Sequence, residues 1–140
     1  VIYLALQIAD NNRILKSQSH YNALALMQRP IELMLESESL SNAMYQCNRA
    51  PYEVAEPIWP RCSRYYFIAV NGWEYAYYQN LDEAIPSELW VGSDGYWANE
   101  AVTVPGYVRF WEEASLAYGE QFRSHVEKSI QQNPSYVGQE

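Results

Sequence analysis

Residues that carry chemistry are scarce in this chain. Its 140 residues include two histidines (His20 and His125), two cysteines (Cys47 and Cys62) and nine basic side chains. A zinc site takes about four Cys or His ligands at close spacing, and these four residues are too scattered to supply one. Helical bundles that hold two metals use Glu-x-x-His pairs on facing helices. None occurs here, and Glu112-Glu113 and His125-Val126-Glu127 have the wrong spacing. Neither GxGxxG nor GxxxxGK(S/T) is present to cradle a phosphate. Gly92-Ser93-Asp94-Gly95 reads only as a turn, because Asp94 and Glu88 would oppose an anion. Neither histidine lies in a recognisable nucleophile elbow or Cys-His setting. No catalytic residue is therefore assigned, and no cofactor or metal is expected. Both histidines read as surface or capped side chains.

Positive charge is also in short supply. Seventeen acids against nine bases give a formal charge of −8, and the pI is near 4.7. Such a field repels phosphate backbones, and the basic residues form no patch, so nucleic acid is excluded as a partner. The charge suits a soluble acidic surface, or an inhibitor or immunity-type protein docking on a basic partner. Cys47 and Cys62 lie fifteen residues apart. Buried free thiols are the expected state, with a single disulfide as the alternative in an oxidising compartment.

Apolar and aromatic residues are abundant. Half the chain (49%) is hydrophobic, with thirteen Tyr, five Trp and three Phe, which excludes disorder and low-complexity classes. The length suits one core. We read residues 1–132 as a single helical domain and 133–140 as a flexible tail. The only β-branched run, Ala101-Val102-Thr103-Val104, is too short to found a sheet. The expected class is all-α: an irregular bundle of about five to six helices with a long first helix.

Periodicity places those helices. Residues 1–28 hold no Gly or Pro and repeat apolar residues at Leu4, Ile8, Leu15, Leu24 and Met27. Pro30 is expected to end or kink this helix, with a short apolar helical piece after it at Ile31–Glu36. Ser39 is a candidate N-cap for a helix over 40–48. In the central helix, 61–80, Tyr65, Ile68, Ala69, Gly72 and Ala76 form one stripe, and Tyr66, Val70, Trp73 and Tyr77 a second beside it. Two adjacent stripes mean burial over most of the circumference. A further helix starts at Pro86-Ser87-Glu88, with a break expected near Gly92 and Gly95. Pro105-Gly106 reads as a turn, and 107–118 with 120–132 as a final helix or helix pair.

The polar face left on the central helix carries Arg64, Asn71, Glu74 and Tyr78, the candidate polar site. Arg64 and Glu74 are ten residues apart, which puts them within about 80° of each other around the helix. A carboxylate on a mostly buried helix requires a cation or several donors. The competing assignment is a structural salt bridge from Glu74 to Arg109 or Arg123. The aromatic residues from Tyr65 to Tyr78 line either a ligand cleft, a docking face or the core.

The opening Ile2-Tyr3-Leu4-Ala5-Leu6-Gln7-Ile8 with Asn12, Glu74-x-x-Tyr77-Tyr78-Gln79, Glu88-Leu89-Trp90, Pro105-Gly106-Tyr107-x-x-Phe110-Trp111 and Gln121-Phe122-Arg123-x-x-Val126-Glu127 follow in that order. Together they resemble a set of uncharacterised bacterial proteins with one N-terminal membrane helix and a small helical domain of unknown function. Where that set carries a basic residue after Gln-Ile, this chain has Ala9-Asp10, and its first positive charge is Arg13. The resemblance implies a membrane helix before Val1, with residues 1–9 as the remnant of its end, and brings no catalytic residues. Nine residues cannot cross a bilayer, which needs about 20. Arg13 and Lys16 suit the cytoplasmic flank of a span. The expectation is a non-enzymatic module at the bacterial inner membrane with a cytoplasmic domain, working through a protein partner or self-association. Leu4, Ile8 and Leu15 are its expected interaction surface. The alternatives are a soluble cytoplasmic acidic inhibitor, or a small-molecule binder using Glu74 and the tyrosine-rich helix.

Overall fold

The helix with two apolar stripes is the axle of the molecule. In the computed structural model, which describes residues 1–135, it spans Trp59–Leu81 and packs against every other helix. Six α-helices and one short 3-10 turn make up the described residues: α1 (Ile2–Glu36), α2 (Glu38–Arg49), α3 (Trp59–Leu81), α4 (Ser87–Thr103), α5 (Pro105–Ala114), a 3-10 turn (Ser115–Ala117) and α6 (Glu120–Gln132). The protein is an all-α bundle. Tyr66, Ala69, Val70, Gly72, Trp73 and Ala76 of α3 are all buried, so both stripes face packed neighbours. Residues 136–140 of the expected tail lie outside the described residues.

Four local expectations change. Pro30 does not end α1, which runs on to Glu36 as one helix. Proline at position 30 removes the N–H that would bond the carbonyl of Leu26. That carbonyl lies where α3 crosses: a Cβ on Gly72 would sit 3.1 Å from its oxygen. Tertiary packing thus covers the site of the lost bond. The cap of α2 is Ser37 and not Ser39; its Oγ accepts from the N–H of Leu40 at 3.2 Å. Helix α4 passes unbroken through Gly92 and Gly95, because buried Trp97, Ala101 and Val102 anchor it and outweigh a propensity cost of about 1 kcal/mol per glycine. Pro105 and Gly106 open α5 instead of forming a turn. Val104 is its extended N-cap, and a proline in the first turn loses no helical bond.

The cysteines are not free thiols. Cys47 of α2 and Cys62 of α3 form a disulfide with a Cα–Cα distance of 6.5 Å, and both are fully buried. Periodicity could place each cysteine on an inward face, but not show that the two faces meet. Beside this bond lies a cluster of aromatic rings. The Tyr66 ring meets Trp59, Tyr107 and Phe110 at centroid distances of 4.5–5.9 Å, and its hydroxyl donates to Asn48 Oδ1 at 2.6 Å. Gly106 lies against this cluster. A Cβ there would fall 2.6 Å from the carbonyl oxygen of Cys47 and overlap the Tyr66 hydroxyl.

Gly106→Ala should therefore lower unfolding free energy by about 2–3 kcal/mol, the usual cost of overpacking a core. Chemical denaturation measures it, and an unchanged midpoint would mean that α5 can shift freely. The disulfide spans a separation of 15 residues, a loop whose closure contributes about 3 kcal/mol. Reduction should lower Tm by about 10 °C in a calorimetric scan with and without a thiol reductant; coincident scans would show that the bond does not stabilise the fold.

Candidate functional site

The four residues of the expected polar site do not converge. Arg64 and Asn71 are exposed, and the Arg64 guanidinium turns back to the carbonyl of Pro60 at 3.2 Å. Glu74 takes neither Arg109 nor Arg123. Its Oε2 accepts the backbone N–H of Gly119 at 2.8 Å, and Gly119 is the N-cap of α6. The carboxylate thus faces the positive end of that helix. Tyr78 packs on the same glycine. Arg109 belongs to another cluster: it pairs with Glu113 at 2.7 Å, and its guanidinium stacks 4.0 Å over the Trp59 ring. Glu74 and Tyr78 are thus joined through α6, and Arg64 and Asn71 stand apart from them.

A polar knot that periodicity missed lies between α3, α4 and α6. Asp94 sits on the inward stripe of α4, between Trp90 and Trp97. Its Oδ1 accepts from the Trp73 indole at 2.9 Å and from His125 Nε2 at 2.7 Å. The imidazole is flanked by Tyr77 and Trp90 at centroid distances of 5.2 and 5.7 Å. The signal was present in the sequence, since an acid among tryptophans on a buried stripe must find donors. A carboxylate that orients an imidazole is part of a hydrolytic triad. Here the imidazole's described neighbours are aromatic rings, and both cysteines are in the disulfide. The knot fastens three helices. Among the described residues no group of three or more His, Cys, Asp or Glu could hold a metal ion.

Two clefts remain. The larger, about 540 Å³, lies between α1 and the loop after α3, with Arg13, Lys16 and His20 on one wall and Glu83–Pro86 on the other. That loop is a Schellman turn. Glu83 takes φ 55°, and the N–H groups of Glu83 and Ala84 bond the carbonyls of Asn80 and Gln79. The second cleft, about 360 Å³, is closed by five helices. Ile31, Met34 and Leu35 of α1 form one side; Ser41 and Asn48 come from α2, Tyr65 from α3, Tyr96, Trp97 and Glu100 from α4, and Tyr107 from α5. Burial raises the carboxyl pKa of Glu100. Burial, together with Tyr96 and Glu100, pushes the Tyr65 hydroxyl up to about 12.

The expected interaction surface is exposed. Leu4, Ile8 and Leu15 keep 61%, 60% and 60% of their surface, and Ile2, Tyr3, Leu6 and Ile14 are equally uncovered. The first buried residue of α1 is Ala23. No family model, curated protein or solved structure matches the chain.

Asp94→Ala would leave an indole N–H and an imidazole without their acceptor. It should cost about 1–3 kcal/mol, with Asp94→Asn, which keeps an acceptor oxygen, costing less. Urea titrations of both variants check this. Equal losses, or none, would mean that the knot does not hold the three helices.

Proposed function

We propose that this protein is a non-enzymatic helical module held at a membrane by the N-terminal part of α1. One observation carries the reading: residues 2–22 of α1 lie outside the core, and their apolar side chains are bare. Those residues are about 32 Å of helix. Over residues 2–9 the apolar positions point in every direction around the axis, since successive residues turn by 100°. A helix that is apolar all round belongs in lipid or in a protein core, whereas a pairing seam needs only one stripe. Arg13, Lys16 and His20 follow on one side of the helix, where phosphate headgroups would meet them. No described helix is long and apolar enough to cross a membrane; residues 2–9 are the part of the described chain that the proposal embeds.

The buried Cys47–Cys62 bond bears on the side of the membrane. Disulfides form in oxidising compartments, which favours a domain outside the cytoplasm. Arg13 and Lys16 argue the other way, but weakly, because Arg13 is paired with Asp10 at 3.4 Å. The inhibitor reading finds little support, since the acids are distributed over all six helices and the loops between them.

Flotation with phosphatidylcholine vesicles, alongside light scattering, tests the proposal. The protein should float with the vesicles, and Leu4→Glu with Ile8→Glu should abolish flotation while leaving the helical circular dichroism intact. A protein that stays behind but forms a dimer dissolved by the same substitutions would replace the membrane with a second copy. A non-floating monomer would end both readings.

A further inference from the structure

Among the residues lining the five-helix cleft, one carries a charge and none carries the opposite one. Glu100 is half-buried on α4, and no Lys, Arg or His lines the cleft beside it. Burial disfavours its ionised form, as the raised carboxyl pKa reflects. A carboxylate in a partly dry cleft is stabilised by a cation or donors placed beside it. Six residues earlier on the same helix, Asp94 has two donors from the protein; for Glu100 a counter-charge can come from outside.

The rest of the lining is suited to supplying that counter-charge in a particular form. Tyr65, Tyr96, Trp97 and Tyr107 bring four aromatic side chains to the same cleft from three helices. Aromatic faces attract cations electrostatically, most strongly when the cation is poorly hydrated and the site is partly dry. A metal ion would look for several oxygen ligands, and the cleft offers a single carboxylate. At about 360 Å³ the cleft is at the small end of ligand pockets. We propose that this cleft binds a small organic cation, a methylated or protonated amine, with Glu100 as its counter-ion and the Tyr65, Tyr96, Trp97 and Tyr107 rings as its walls.

The amine could be free or carried on a phosphodiester headgroup. The cleft opens beside Ile31, about 35 Å along α1 from Ile8. A lipid embedded around residues 2–9 could not reach it, which favours the free amine. The inference does not depend on the membrane reading, because it concerns the opposite end of α1.

Calorimetric titration with choline chloride tests the site. Its neutral isostere 3,3-dimethylbutan-1-ol serves as control, and glycerophosphocholine as the soluble headgroup. Choline should bind at least about tenfold more tightly than the isostere, and Glu100→Gln should remove that preference. The sign of the stability effect keeps this variant informative. A carboxyl whose pKa is raised by folding contributes stability below its unfolded pKa and loses it as pH rises through the folded value. Glu100→Gln should therefore be at least as stable as the parent at pH 7, and lose that advantage near pH 4. Tyr96→Ala removes an exposed wall and should weaken choline alone. Tighter binding of glycerophosphocholine than of choline would assign the site to a headgroup. Equal binding of choline and its isostere, no heat with either, or a choline affinity untouched by Glu100→Gln would overturn the proposal.

Discussion

Burying the Tyr66 phenol is the constraint on which the rest of the interior depends. A tyrosine with no exposed surface gains about 2–3 kcal/mol from its ring, but only while its hydroxyl keeps a partner. Asn48 is that partner, so α2 must lie at a fixed height along α3, and the Cys47–Cys62 bond holds it there one residue from Asn48. The hydroxyl leaves no room for a side chain where α5 begins, so that position is glycine. Tyr107 and Phe110 then bring the rest of α5 onto the same ring. Three helices are thereby set around one side chain, and the aromatic contacts that run from Phe110 through Tyr118 to Phe122 extend the order to α6.

The first helix obeys two different requirements along its length. From Ala23 onward it is bundle material: Pro30 and Ala23 are buried, and Gly72 allows α3 to approach the Leu26 carbonyl. Before Ala23 it packs on little besides the loop after α3. An isolated helix in water is marginal even when it is long, and apolar packing is what stabilises most helices. Residues 2–22 are thus an exposed, apolar-rich stretch of helix that the bundle itself does not cover; the proposed membrane reading supplies the cover as lipid.

How much of this was legible in the sequence follows from the kind of information each feature needs. The stripes of α3 and the helical class depend on spacing within one segment, and spacing is visible in a single chain. Pro30 was expected to end or kink α1, and only the ending fails; the helix continues where α3 packs on it through Gly72, more than forty positions away, which spacing within one segment cannot show. Glu74 was expected to need a cation or several donors, with Arg109 or Arg123 as the salt-bridge alternative. The partner is a backbone N–H at Gly119, and backbone groups leave no mark in composition. The disulfide was one of two open states for the same reason, since an inward position on each of two helices does not say that the positions coincide. Asp94 could have been found, because it interrupts a tryptophan stripe on its own helix.

Two carboxylates on α4 show how one helix separates structure from binding. Asp94 points into the core, takes an indole and an imidazole on a single oxygen, and joins three helices. Glu100, six residues on, is turned by about 600°, or 120° short of two full turns, and faces the cleft instead. Its neighbours are phenols whose ionisation burial suppresses, such as Tyr65 and Tyr96, so they offer aromatic faces and neutral hydroxyls but no positive charge. Had folding alone governed this position, a glutamine or an apolar residue would have served it better, because an ionised carboxylate there is disfavoured by desolvation. A charge kept against that gradient, within a ring of aromatic side chains, is accounted for by a cationic ligand more simply than by any contact within the chain.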